Sequence, residues 1–199
     1  MTKIKLCGLT RDCDIDAANE LRPEYIGFVF APKSKRYVTP ERAAGLKRRL
    51  AAGIKAVGVF VNEELPVVAD LLNKGVIDVA QLHGSESEEY VAELKKATGK
   101  PVIRAFKVAA AEDVESAVKS AADYILLDAG AGDGVTFDWS IVKDVKRPFF
   151  LAGGLNPENV ADAIAAVHPY AVDVSSGIET DGFKDIDKMT AFVKAVRKD

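Results

Sequence analysis

Residues 54–82 read IKAVGVFVNEELPVVADLLNKGVIDVAQL and contain the pattern that decides the fold. The stretch opens with a β-branched and aromatic run at 54–61 and closes with a second run at 77–82, and each run predicts a strand. Between them, residues 64–73 carry apolar side chains at helical spacing. A strand, a helix and a second strand with short connections form a βαβ unit, in which the strands are parallel and the crossover is right-handed.

The same unit recurs along the whole chain. Eight strand-like runs begin 22 to 30 residues apart, which leaves room in each unit for one strand, one helix and two short loops. The predicted strands are 2–6, 24–30, 54–61, 77–82, 101–106, 123–127, 148–151 and 170–174. The predicted helices include 40–50, 64–73, 87–96, 111–120, 157–167 and 186–196.

Eight alternating βα units are the number that closes a (β/α)8, or TIM, barrel, so we predict an α/β fold with one barrel domain over residues 1–199. A leucine-rich solenoid has a similar period, but its LxxLxLxxN pattern is absent from the sequence. A doubly wound open sheet would need GxGxxG after the first strand, where residues 7–11 read CGLTR.

Three predicted helices carry a capping signal at their start. Thr39 precedes Pro40, which we place at the first helical position, and Asn156 precedes Pro157 in the same way. Asp138 is the expected cap of the sixth helix, which we predict to begin at Trp139.

The composition excludes several classes of protein. The 199 residues include 27 Lys and Arg and 30 Asp and Glu, and the formal net charge of −3 argues against nucleic-acid binding. No apolar run approaches the roughly 18 residues of a membrane helix. The first residues enter a strand-like pattern without a signal-peptide core. We expect a soluble cytoplasmic protein with no nucleic-acid or membrane partner, as a monomer or a homodimer.

The cysteines predict neither a disulfide framework nor a metal site. Cys7 and Cys13 do not form a CxxC pair, and His83 and His168 are the only histidines that could join them at a zinc site. Both thiols are therefore expected to be free. A lone cysteine is most often a small core residue, and this is the expectation for Cys13.

Two loops near the end of the chain predict a phosphate site. Gly153 and Gly154 follow the seventh predicted strand and lead into a helix, and Ser175, Ser176 and Gly177 follow the eighth. Small residues let backbone N–H groups approach an anion closely, and a helix N-terminus adds a favourable dipole. Glycine-rich loops after strands seven and eight are the usual phosphate cradle of a barrel, which indicates a phosphorylated small-molecule substrate. The alternative is that these glycines only make tight turns.

Cys7 directly follows the first predicted strand and Asp128 the sixth, so both are expected at the mouth of the barrel. Side-chain alternation places Cys7 on the same face as Lys5, and a thiol beside a lysine is expected to have a lowered pKa and to act as a base. A base facing a carboxylic acid suits a proton-transfer isomerisation. Lys5 and Asp173 lie on strands that become neighbours on closure, which predicts a buried ion pair with an N–O distance within about 4 Å.

Seven ordered motifs resemble those of the phosphoribosylanthranilate isomerase family over essentially the whole chain. They are KLCGLT at 5–10, GFVF at 27–30 with SKRY at 34–37, VGVFVN at 57–62, QLHG at 81–84, FDW at 137–139, AGGLNPENV at 152–160 and VDVSSGIE at 172–179, followed by GFKD at 182–185.

The resemblance implies an Amadori rearrangement of N-(5′-phosphoribosyl)anthranilate to 1-(2-carboxyphenylamino)-1-deoxyribulose 5-phosphate in tryptophan biosynthesis. Cys7 matches the family's general base at C2′, and Asp128 matches the general acid at the ring oxygen. Arg36 matches an arginine near the anthranilate carboxylate, for which a guanidinium fork is well suited. The family uses no metal or organic cofactor, because the iminium carbon of the intermediate is the electron sink.

Gln81 and His83 share one face at the end of the fourth strand and are further candidates for substrate binding. For His83, packing or hydrogen bonding is an equal alternative to substrate contact. The loop after Asp128 departs from the family's glycine-glycine-Thr/Ser-glycine run, because it is short and differs from that run at Ala131, Asp133 and Val135. This departure bears on how the loop closes over substrate and leaves Asp128 in place.

Two alternatives to this isomerase are compatible with the motifs. One is the related aminoaldose-phosphate isomerase of histidine biosynthesis, whose relatives typically have an aspartate in place of Cys7 and need a second phosphate site. The other is a catalytically silent, engineered or reconstructed barrel. The presence of Cys7, Arg36 and Asp128 together argues against the silent barrel.

Overall fold

The structure is a computed structural model that describes residues 1–128 and 139–197. Its helices and strands in chain order are β1 (Lys3–Cys7), α1 (Asp12–Leu21), β2 (Tyr25–Val29), α2 (Pro40–Arg49), β3 (Lys55–Phe60), α3 (Leu65–Asn73), β4 (Val79–Leu82), α4 (Glu88–Thr98), β5 (Val102–Lys107), α5 (Ala111–Val118), β6 (Tyr124–Asp128), a 3₁₀ turn (Trp139–Val142), β7 (Phe149–Ala152), α6 (Val160–Val167), β8 (Ala171–Val174), a second 3₁₀ turn (Ser176–Ile178), β9 (Glu179–Thr180), β10 (Phe183–Lys184) and α7 (Ile186–Val196). None of these helices is long and apolar enough to cross a membrane.

Strands β1 to β8 form a closed barrel in which each strand pairs with the next along the chain and β8 returns to β1. The pairings are parallel throughout. The predicted (β/α)8 barrel is confirmed, and each predicted strand starts one or two residues before the observed one. Closure also sets the register of the first and last strands, in which Lys5 lies beside Asp173.

Alternate strand residues fill the barrel interior, and the others pack against the surrounding helices. Val57, Ile103 and Phe150 belong to the interior cluster, which is separate from the larger core between strands and helices. Towards the amino ends of the strands, the hydroxyls of Tyr25 and Tyr124 lie 3.1 and 3.4 Å from that of Tyr170. Because this half of the interior is filled by large side chains, the space for a ligand is left at the carboxyl ends.

The helix starts confirm one of the three capping predictions and correct a second. Thr39 caps α2 as predicted, since its hydroxyl accepts a hydrogen bond of 3.2 Å from the backbone N–H of Arg42. The helix predicted from residue 157 begins at Val160 instead. The Asn156 carboxamide accepts from the N–H groups of Glu158 and Asn159 and so holds a separate turn before that helix. The sixth helix is a short 3₁₀ turn, and its expected cap Asp138 lies outside the described residues.

Helix α1 was not predicted, because the residue before it, Arg11, gives no capping signal. The buried carboxylate of Asp14 supplies the cap by accepting from the N–H groups of Thr10 and Arg11 at 3.0 and 2.9 Å. The expectation that Cys13 is a core residue is wrong, since its side chain is exposed. Cys13 lies on the solvent face of α1, whereas Ile15 and Ala18 face the barrel.

Candidate active site

A cavity of about 500 Å³ opens at the carboxyl ends of the barrel strands. The strand residues that line it are Cys7, Val29, Val59, Gln81, Lys107, Asp128, Ala152, Asp173 and Val174. The loops add Ala31, Ser34, Arg36, Val61, His83, Gly153, Gly154, Leu155, Ser175 and Ser176. Among the described residues, no group of three or more His, Cys, Asp or Glu side chains is placed to hold a metal ion.

The Cys7 thiol points into this cavity, and a glycine on the next strand makes room for it. Cys7 pairs with Gly27 across β1 and β2, and a Cβ atom at Gly27 would lie 2.6 Å from the Cys7 sulfur. Any other residue at this position would displace the thiol. The inward orientation predicted from side-chain alternation is therefore confirmed.

The expected lowering of the Cys7 pKa is wrong for this structure. Burial raises the pKa of the thiol, the Lys5 ammonium lowers it and the Asp173 carboxylate raises it, and the net pKa lies above its usual value. The physical reason is that a buried thiolate loses its hydration, and one lysine whose charge is shared with a carboxylate does not compensate for that loss. Cys7 is consequently a protonated thiol at neutral pH in this structure.

Lys5 and Asp173 form the predicted buried ion pair, with a distance of 2.9 Å between Nζ and Oδ1. The Lys5 side chain is fully buried, and the Asp173 side chain is 10% exposed. Burial lowers the pKa of Lys5, but the Asp173 carboxylate and Cys7 outweigh it and hold the pKa above its usual value. Lys5 therefore remains charged beneath the cavity floor.

Lys5→Met is expected to lower the free energy of unfolding by about 3–5 kcal/mol, because it leaves a largely buried carboxylate without its partner. Urea unfolding at neutral pH measures this change, and the double variant Lys5→Met/Asp173→Leu is expected to recover much of the loss. Because the folded-state pKa of Lys5 is raised, the contribution of the pair is fully present below a pH of about 10.4 and is lost as the pH rises through the folded pKa. An unchanged unfolding free energy in Lys5→Met contradicts the prediction.

Gln81, His83 and Asp128 form a chain along one wall of the cavity. Gln81 Nε2 lies 3.0 Å from His83 Nδ1, and His83 Nε2 lies 3.5 Å from Asp128 Oδ2. If the Gln81 amide donates to Nδ1, the Nε2 atom of His83 carries the proton and faces the carboxylate. Gln81 itself is buried, and its Oε1 atom is buried without a hydrogen-bond partner among the residues that the structure describes.

Arg36 reaches the cavity from the loop after β2, and its guanidinium is held by Glu179. Nε and Nη2 of Arg36 donate to the two carboxylate oxygens of Glu179 at 2.6 and 2.7 Å. Gly8 makes room for the arginine, because a Cβ atom at this position would lie 2.5 Å from Arg36 Cδ. The bidentate pair leaves Nη1 as the guanidinium nitrogen that is not donating to Glu179.

The two glycine-rich loops meet at one side of the cavity. Gly153 and Gly154 both have positive φ values, 94° and 65°, which turn the backbone of this loop at the cavity edge. Ser175 and Ser176 line the same region, and the Ser175 hydroxyl donates to the Cys7 carbonyl at 3.1 Å. Gly177 is not among the described residues that line the cavity. Its missing side chain instead admits the Leu155 carbonyl, which would lie 2.0 Å from a Cβ atom there.

Three charged residues at or beside the site were missed by the sequence analysis. Lys107 ends β5 as Cys7 ends β1, and inspection of that strand end would have identified it. Glu179 and Lys184 lie in the β9–β10 hairpin, which no periodicity in so short a segment predicts. Lys33 and Lys35, the neighbours of Arg36 in its loop, are exposed.

A closed parallel barrel with a thiol, a carboxyl group and a guanidinium around one cavity at the carboxyl ends of its strands has the arrangement of a barrel enzyme. The sequence model described as N-(5′-phosphoribosyl)anthranilate (PRA) isomerase matches residues 4–195. The chain belongs to the phosphoribosylanthranilate isomerase family and is an isomerase.

Individual relatives agree with this assignment along the full length of the chain. N-(5′-phosphoribosyl)anthranilate isomerase of Clostridium acetobutylicum is 44% identical over 207 residues, covering 100% of this chain and 99% of the relative. The crystal structure of phosphoribosylanthranilate isomerase from Thermotoga maritima superposes with a TM-score of 0.92 at 40% identity and 100% coverage of both chains. A crystal structure of a phosphoribosylanthranilate isomerase in complex with reduced 1-(o-carboxyphenylamino)-1-deoxyribulose 5-phosphate gives a TM-score of 0.90, also at 40% identity and full coverage.

Proposed function

We propose that this chain converts N-(5′-phosphoribosyl)anthranilate to 1-(2-carboxyphenylamino)-1-deoxyribulose 5-phosphate in tryptophan biosynthesis, with Cys7 as general base and Asp128 as general acid. The observation that carries the proposal is that Cys7, Asp128 and Arg36 line one cavity together with the two glycine-rich loops. This arrangement supplies a base, an acid and an anion-binding cation around a space of about 500 Å³, which is adequate for a small phosphorylated molecule.

In the proposed first step, Asp128 donates a proton to the furanose ring oxygen while the bond between that oxygen and C1′ breaks. The nitrogen lone pair forms the C1′ iminium, and the ring oxygen becomes a hydroxyl group. The His83 imidazole contacts Asp128 and is suited to hold its carboxyl group in position. Gln81 in turn is suited to fix the orientation of His83, and both side chains border the substrate space.

In the proposed second step, Cys7 removes the proton from C2′, and the electron pair moves into the iminium to give an enolamine. Protonation at C1′ and loss of the enol proton then give the ketone, so protons and electrons balance without a cofactor. The cationic iminium favours the thiolate electrostatically and so opposes the effect of burial, which raises the pKa of the thiol. The base is thus activated in the complex in which it is needed.

We further propose that the two ends of the substrate are held by separate anion sites. Backbone N–H groups at Gly153, Gly154, Ser175 and Ser176 are suited to the phosphate, with Gly177 allowing the two loops to approach each other. The remaining donors of Arg36 are suited to the anthranilate carboxylate. The whole chain, 1–199, is proposed as one catalytic domain that works in the cytoplasm as a monomer or a homodimer on a small phosphorylated substrate.

A fluorescence assay that follows the loss of phosphoribosylanthranilate tests this function. The purified chain is expected to consume this substrate, and Cys7→Ala is the matched inactive control. The aminoaldose phosphate of histidine biosynthesis, supplied in parallel, distinguishes the related isomerase. No turnover of phosphoribosylanthranilate by the folded protein would identify a silent barrel and refute the proposal.

Gly154→Val is expected to raise KM about tenfold or more, which corresponds to the loss of one hydrogen bond to a charged group. A Cβ atom at Gly154 would meet no atom of the described residues within 4 Å, so none of them blocks the new side chain. The matched control is Gly99→Val, because Gly99 has a similar φ of 62° and equally open surroundings at the end of α4. Steady-state kinetics of both variants decide the matter, and an unchanged KM in folded Gly154→Val counts against this phosphate site.

A further inference from the structure

Lys184 is a buried lysine that the proposed chemistry does not use. It lies in the β9–β10 hairpin rather than on a barrel strand, and its side chain is only 1% exposed. Its ammonium group donates to the Ser175 carbonyl at 2.9 Å, to the Ser175 hydroxyl at 3.3 Å and to Glu179 Oε1 at 2.6 Å. An ammonium group has three protons, so these contacts use its full donor capacity inside the protein.

One of these contacts connects Lys184 to Arg36. The Oε1 atom of Glu179 accepts from both cations, at 2.6 Å in each case, and Oε2 accepts from Arg36. Burial raises the pKa of Glu179, but the hydrogen bonds from Arg36 and Lys184 outweigh it and hold the pKa below its usual value. Glu179 is therefore a carboxylate clamped between two cations.

The charge balance of this cluster depends on Lys184. Arg36 and Glu179 alone would form a neutral pair, and the attraction of the guanidinium for another carboxylate would be weakened by the one already bound. Lys184 restores a net charge of +1 to the three side chains. Since the group is largely buried, this charge is less screened by water than a surface charge would be.

The other two contacts connect Lys184 to the loop after β8. Ser175 lines the cavity beside Ser176, and its carbonyl and hydroxyl are both held by the ammonium group. The same hydroxyl donates to the Cys7 carbonyl. A single side chain thus touches the backbone of one proposed anion site and, through Glu179, the guanidinium of the other.

We propose that Lys184 is a positioning residue that fixes the two anion sites relative to each other, holding Arg36 through Glu179 and the phosphate loop through Ser175. The inference rests on the proposed function, because it assumes a ligand with an anion at each end. A substrate of this kind requires both sites at a fixed separation, and misplacement of either site weakens the binding of the whole molecule.

The test compares Lys184→Met with Lys188→Met, which removes a lysine of the same region that donates to the Glu179 main-chain carbonyl. Lys184→Met is expected to raise KM roughly tenfold or more and to change kcat by less than about threefold. Lys188→Met is expected to leave both constants unchanged. Lys184→Gln, which keeps two neutral N–H donors, is expected to give an intermediate KM. A wild-type KM in both Lys184 variants overturns the inference, whereas inactivity of the wild-type protein refutes the proposed function instead.

A binding measurement separates positioning from a general structural role. The probe is reduced 1-(o-carboxyphenylamino)-1-deoxyribulose 5-phosphate, with its analogues lacking the carboxylate or the phosphate, titrated by calorimetry. The affinity lost on Lys184→Met is expected to shrink when either anionic group is absent from the ligand. An equal loss for all three ligands would show that Lys184 only stabilises the fold and would overturn the inference.

Discussion

Cys7→Ala is expected to lower kcat by about 10²–10⁴-fold with a much smaller change in KM, because a general base acts in the transition state rather than in ground-state binding. Cys7→Ser is expected to be similarly impaired, since an alcohol forms its anion far less readily than a thiol. The exposed Cys13 provides the matched control, and Cys13→Ala is expected to keep wild-type turnover. Near-wild-type kcat in folded Cys7→Ala would remove the thiol from the mechanism.

The pH profile adds a second readout for Cys7. Burial raises the pKa of the thiol above its usual value in the free protein, so kcat/KM is expected to rise with pH through the neutral range and beyond about 8.5. Cys7→Asp is expected to move this limb to lower pH if it retains activity, because a carboxyl group ionises at a lower pH than a thiol. An unshifted limb in an active Cys7→Asp variant would assign the titration to another group.

Asp128→Asn is expected to lower kcat by a comparable factor of about 10²–10⁴ while KM stays near its wild-type value. The carboxamide has nearly the shape of the carboxyl group and preserves the contact region of His83, but it cannot deliver a proton to the ring oxygen. Single-turnover fluorescence with saturating enzyme measures the chemical step directly. The exposed Asp144 serves as control through Asp144→Asn, which is expected to be fully active. Turnover of Asp128→Asn at the wild-type rate would require another acid.

The sequence was sufficient to predict the barrel and the inward direction of the main site residues. Strand and helix periodicities are local properties of a few neighbouring residues, and eight repeats of one βα unit leave few ways to bury all the strands. Strand parity then placed Cys7 and Lys5 on the inner face and predicted the pair with Asp173, which closure brings to 2.9 Å. The motifs that resemble the isomerase family lie at the same strand ends.

The structure differs from the sequence-based predictions where a feature depends on contacts between distant parts of the chain. Arg36 and Glu179 are 143 residues apart, and Lys184 joins them from a hairpin of two-residue strands that carries no periodic signal. Helix α6 begins at Val160 rather than at residue 157, because the Asn156 side chain stabilises a separate turn before it. In the sequence, an asparagine before a proline is equally compatible with such a turn and with a helix cap.

The sequence by itself determined the order of the eight strands, the faces of their side chains and the residue types available at the carboxyl end of the barrel. Only the tertiary structure decided that Glu179 holds Arg36, that Cys13 is exposed and that the pKa of Cys7 is raised rather than lowered. The physical reason is the same in each case. Periodicity follows from short-range backbone geometry, whereas ion-pair partners, exposure and the cost of removing a thiolate from water are set by which distant segments pack around a group.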